Sequence, residues 1–91
     1  MITPSVGRIV HYVLSDTDVA SINDQRSKSG GRGNTPVAGQ HYAAILVCTW
    51  AGASSANLQV FLDGTDTYWA TSRSQDDAGT QNTWHQPEVV Q

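Results

Sequence analysis

The sequence predicts a mainly β fold: a small, partly open five-stranded barrel of the SH3-like type, with one short helical-turn segment and a long loop. Three observations lead there. Short runs rich in β-branched and aromatic residues recur between turn signals, which is the pattern of strands. Asp63-Gly64 stands between two such runs and is a strong hairpin signal. No second helical pattern is present, which disfavours an α/β architecture. The order and spacing of the elements suit an OB-fold less well, and no internal repeat is visible.

The first strand is expected within Val6–Leu14, where Ile9, Val10, Tyr12 and Val13 carry high strand propensity. Ser15 then stands as a helix N-cap with Asp18 three residues on. Asp18 is a shorter substitute for the Glu or Gln of a capping box. Val19 and Ile22 share a helical face, so one or two helical turns are expected through about Asp24. Residues 25–40 hold four glycines and a proline with almost nothing to bury, and read as a long glycine-rich loop. His41–Trp50 is apolar on both faces, as in a central strand covered on both sides. Asn57–Leu62 alternates cleanly and returns through Thr67–Thr71. Residues 72–82 form a polar second loop, and residues 83–90 a short closing strand that Pro87 restricts to an edge. From this pattern Val10, Ile45, Val47, Leu58, Val60 and Trp69 are expected in the core.

Ninety-one residues leave room for a single domain, 1–91. With one cysteine, Cys48, no internal disulfide can form, and its apolar neighbours mark it as a small buried hydrophobe. Only 14% of residues are charged and the net charge is −3, which argues against a strongly basic nucleic-acid binder. Residues 1–45 carry four basic and three acidic groups (+1), residues 46–91 one basic and five acidic (−4). No apolar run approaches the ~20 residues that span a bilayer, and no secretory leader pattern opens the chain. A protein made and kept in the cytoplasm, or carried from there in an assembly, is expected.

No catalytic apparatus is legible, and none is expected. The serines lie in polar loops, with no nucleophile elbow. Asp63 and Asp66 fall in a hairpin turn, where Asp ordinarily caps turn amides. The segment Ser29–Asn34 lacks the Gly-Lys-Ser/Thr ending of a phosphate loop and follows a helix instead of preceding one. His11, His41 and His85 would need to converge with a carboxylate such as Asp63 to hold a metal. Without paired ligand spacing, no metal and no cofactor are assigned. What remains is contact with protein. Arg26, Lys28, Gly30, Gly31 and Arg32 of the loop, with Trp84 and His85 in the closing segment, are the candidate contact residues, and Trp84 is the expected exposed anchor. A glycine-rich loop held in one conformation costs roughly 1–2 kcal/mol of backbone entropy per residue, so an external partner is expected to hold it.

Four segments carry a resemblance: Val6–Tyr12 (VGRIVHY), Gln59–Gly64 (QVFLDG), Tyr68–Ser72 (YWATS) and Thr83–Pro87 (TWHQP). Together they resemble a family of small, mostly uncharacterised proteins of tailed bacteriophages and prophages, over nearly the whole chain, with 25–40 as the most variable part. The resemblance implies a viral origin but no catalytic or binding residues. Small phage proteins divide mainly into virion parts and early proteins that bind host factors, and a low-charge β-barrel with a glycine-rich loop and no active site fits the first: a minor capsid or decoration protein, made in the host cytoplasm, that contacts the major capsid protein or copies of itself is expected. The alternative is a module that binds a host protein, and nucleic acid ranks below both.

Overall fold

The computed structural model describes residues 1–88. Its elements run β1 (Ile9–Val13), α1 (Asp16–Ser29), β2 (His41–Thr49), β3 (Ser55–Phe61), β4 (Thr67–Gln75) and β5 (Thr83–His85). The five strands form a barrel in the order β1-β2-β3-β4-β5, the small SH3-like architecture expected, although closed where the sequence pointed to a partly open one. Closure falls to β5, which pairs antiparallel with β1 through His11↔His85 and Tyr12↔Trp84 and parallel with β4 through Ser74↔Thr83 and Gln75↔Trp84. It is therefore no edge strand. Pro87 is tolerated because it lies beyond the three paired residues and withholds no ladder hydrogen bond. Of the expected closing segment, Val89 and Val90 lie outside the described residues.

Alternation along the strands builds the core. Val10, Tyr12, Ala44, Leu46, Leu58, Val60, Ala70 and Trp84 are fully buried, joined by Leu14 and Ile22. The expectation for β2 is corrected: Ala44 and Leu46 face the interior, whereas Ile45 is half-buried and Val47 is 39% exposed. Trp69 is also outside, at 60% exposure. These residues point away from the barrel interior, and α1 does not cover that wall.

The helix begins as expected. Ser15 Oγ accepts from the Asp18 amide, the Asp18 carboxylate accepts from the Ser15 amide, and the capping box is complete. It runs further than expected, to Ser29, ending on Gly30 in the left-handed conformation (φ 78°), which glycine adopts without a Cβ penalty. Arg26 and Lys28 in the last turn and Asp16 and Asp18 in the first complement the helix dipole.

Candidate functional site

The loop following α1 is held by its own chain, which corrects the expectation of an external partner there. Gly33 bridges Gly64, the Asn34 amide donates to the Asp63 carbonyl (2.8 Å), and the Thr65 amide donates to the Arg32 carbonyl (2.7 Å). Backbones meet so closely that a Cβ on Gly33 would stand 2.2 Å from the Asp63 carbonyl oxygen, and one on Gly64 2.3 Å from that of Arg32. Arg26 is a bolt in this seam. Its guanidinium donates twice to Asp66 (2.9 and 3.1 Å) and once to the Asn34 carbonyl (2.9 Å), with both charged side chains nearly buried. Gly31 lies against the same Asp66. Of the five loop candidates, Arg26 and Gly31 thus serve internal packing. Gly30 caps the helix, Lys28 pairs with Asp24 at the surface (3.0 Å), and Arg32 is exposed.

Trp84 is corrected more sharply. It is fully buried, and its indole Nε1 donates to the Arg73 carbonyl (2.9 Å). A large aromatic in a three-residue strand that closes the barrel serves as core, so it cannot anchor a partner. His85 is also buried, at 4% exposure.

Around Asp18 lies a buried polar network that the sequence did not announce. The Asp18 carboxylate is fully buried and accepts from Tyr12 Oη (2.5 Å), Tyr68 Oη (2.9 Å), Arg73 (3.0 Å) and the Ser15 amide (3.0 Å). Burial pushes its carboxyl up, but these four donors outweigh it and hold it below the usual carboxylate range. Burial and the same carboxylate push both phenols up, so Tyr12 and Tyr68 remain protonated donors. Every partner here donates, and the network is structural.

The outer wall presents a different surface. Register places Ile9 opposite Ile45, Ile45 opposite Gln59 and Gln59 opposite Trp69, a row across four strands on the outside of the barrel. Ile9 (61%) and Trp69 (60%) are widely exposed, and Phe61 (45%) and Val47 flank the row.

On the same outer face, where β5 joins β1, the three histidines converge. His11 is directly opposite His85 on β5, and on its other side His41 stands diagonally, opposite Val13. Ring centres are 5.1 Å apart for His41 and His85, 5.9 Å for His11 and His85, and 6.4 Å for His11 and His41. The chain then turns back, and Glu88 sets its carboxylate among them. It contacts His11 Nδ1, His85 Nε2 and, at 2.8 Å, His41 Nδ1. Partial burial pushes the Glu88 carboxyl up, but the His85 and His11 imidazoles and a backbone amide win and hold it at about 2. One ligand atom from each of the four residues lies within 4.8 Å of every other. Asp63, the carboxylate weighed from sequence, is instead hydrogen-bonded to Asn34 in the glycine seam. Glu88 was missed. Its only signal was a position three residues after His85, which says nothing until the register of β1, β2 and β5 is known.

No family model matches the chain, and comparison with curated proteins and with solved structures brings no match. Among the described residues no helix is long and apolar enough to cross a membrane.

Proposed function

We propose that the chain is a non-enzymatic bacteriophage protein, a minor capsid or decoration component that acts through protein–protein contacts in the virion. The observation that carries this reading is the outward row of Ile9, Ile45 and Trp69, flanked by Val47 and Phe61. Single exposed hydrophobes are ordinary. A neighbouring set that ends in a tryptophan, interrupted only by Gln59 and flanked by two further hydrophobes, has the composition of an interface core, since tryptophan is enriched among hot spots. The resemblance to small phage proteins supplies the setting, and a capsid subunit or a second copy of the chain supplies the partner. Contact through this wall replaces the loop and Trp84 as the proposed route, because those are engaged within the chain.

Mass spectrometry of purified particles tests the reading. A stoichiometric protein in virions, lost when Trp69→Ser is introduced, is the expected result. Absence from particles together with abundance in infected-cell lysate would overturn it and favour the host-factor alternative.

A further inference from the structure

We propose that His11, His41, His85 and Glu88 bind a divalent first-row transition ion, zinc foremost, which clamps the seam where the barrel closes. Imidazole suits zinc, copper, nickel and cobalt, and three imidazoles with one carboxylate complete a four-coordinate shell. Three neutral ligands and one anion halve the charge of a dication, leaving +1 at the centre. Magnesium and calcium prefer all-oxygen shells, which this set does not offer.

The geometry fits. A tetrahedral ion about 2.0–2.1 Å from each ring nitrogen sets imidazole centres roughly 5 Å apart. The observed separations of 5.1, 5.9 and 6.4 Å need a contraction on the order of 1 Å. The half-exposed His41 and Glu88 side chains have room to make it. In the ion's place stands the Glu88 carboxylate, on which all three imidazoles converge. A small outward swing would turn it from acceptor of three N–H groups into the fourth ligand, once those nitrogens present lone pairs.

His85 presents Nε2 to the cluster, where it contacts Glu88, while its other ring nitrogen, Nδ1, is buried without a hydrogen-bond partner among the described residues. Access to the cluster is open. An open cleft of about 350 Å³, lined by His41, Gly79, His85, Pro87 and Glu88, leads to the cluster from solvent.

Position gives the site its consequence. β5 contributes only three residues, two of them paired with β1 and two with β4, so the barrel closes through its two shortest ladders. The four ligands come from β1, the start of β2, β5 and the segment beyond β5. An ion there would tie both sides of the seam and pin the returning chain.

The test is a thermal melt of the full chain, stripped with EDTA and titrated with zinc chloride, beside magnesium chloride as control. An ion that binds only the folded chain, at about a hundredfold excess over Kd, should raise the melting midpoint by roughly 10 °C or more. Magnesium should leave it unchanged. Calorimetry should give one zinc per chain, and cobalt should give the intense visible band of a four-coordinate site. His41→Ala removes a half-exposed group and should melt close to the parent in EDTA, and Glu88→Gln, which takes the charge from beside three imidazoles, somewhat lower. Each should weaken zinc binding at least roughly 100-fold, because losing even an outer partner of a metal ligand costs 10–100-fold. A midpoint no more responsive to zinc than to magnesium would overturn the site. So would parental zinc affinity in both variants.

Discussion

Two carboxylates in this molecule, Asp18 and Glu88, each sit amid three side chains, and the chemistry of those neighbours separates an anchor from a candidate ligand. Asp18 faces two phenols and a guanidinium, with a backbone amide besides, all of which donate at any ordinary pH. Glu88 faces three imidazoles, which donate or accept according to protonation and tautomer. The first set can only hold an anion, so it fixes α1 to the barrel. The second can hold an anion or, with lone pairs turned inward, a cation. Location follows the same division: Asp18 is fully buried, whereas Glu88 is half-exposed beside an open cleft.

Substitution at Asp18 should break the comparison most violently. Asp18→Ala would leave Arg73 and two phenols without their acceptor in a nearly dry site, and removing one member of such a buried pair costs about 3–5 kcal/mol. Urea unfolding of Asp18→Ala beside Glu88→Gln in EDTA reads this directly: the first should lose much of its stability, the second little. Next in size, Leu46→Ala opens a cavity in the core and should cost about 2–5 kcal/mol. Ile45→Ala, next door but half-buried, should cost clearly less. Equal losses for the two would mean that the face assignment of β2 is wrong.

Gly33→Ala sharpens the account of the loop. Its Cβ would collide with the Asp63 backbone, and overpacking of that kind costs roughly 1–3 kcal/mol, read as a lower denaturation midpoint. Acid reads the anchor itself. The folded Asp18 carboxyl lies below its unfolded value near 3.9, so the unfolded chain binds protons first as pH falls. The stabilisation is therefore complete above about pH 5 and declines as pH drops through the folded value. Asp18→Asn should flatten that part of the stability profile. Trp69→Ala, on the outer wall, should shift stability by no more than about 0.5 kcal/mol.

Local chemistry was the legible part of this fold. Ser15 and Asp18 announced the helix start, and Asp63-Gly64 the hairpin, because capping and turn formation involve residues a few positions apart. The last turns of α1 were hidden. Gln25–Ser29 offers no apolar stripe, and the helix persists there on its Gly30 cap, the Lys28–Asp24 pair and the Arg26–Asp66 bolt. Trp84 looked like an exposed residue in an irregular segment. Its burial follows from β5 bridging β1 and β4, a non-local pairing. Ile45, Val47 and Trp69 carried strand propensity, but propensity does not say which face is covered. The histidine cluster was least legible of all. His11, His41 and His85 meet only through the register Val13↔His41 and His11↔His85, and Glu88 joins them only because the chain turns back after β5.

The most direct measurement of the difference between the two carboxylate centres is long-range ¹H–¹⁵N NMR of the imidazoles, recorded before and after one equivalent of zinc. One nitrogen in each of His11, His41 and His85 should move to the shift of a metal-bound imidazole, while the amides around Ser15 and Asp18 stay in place. Imidazole nitrogens that do not respond to zinc, or that respond in only one of the three residues, would contradict the account.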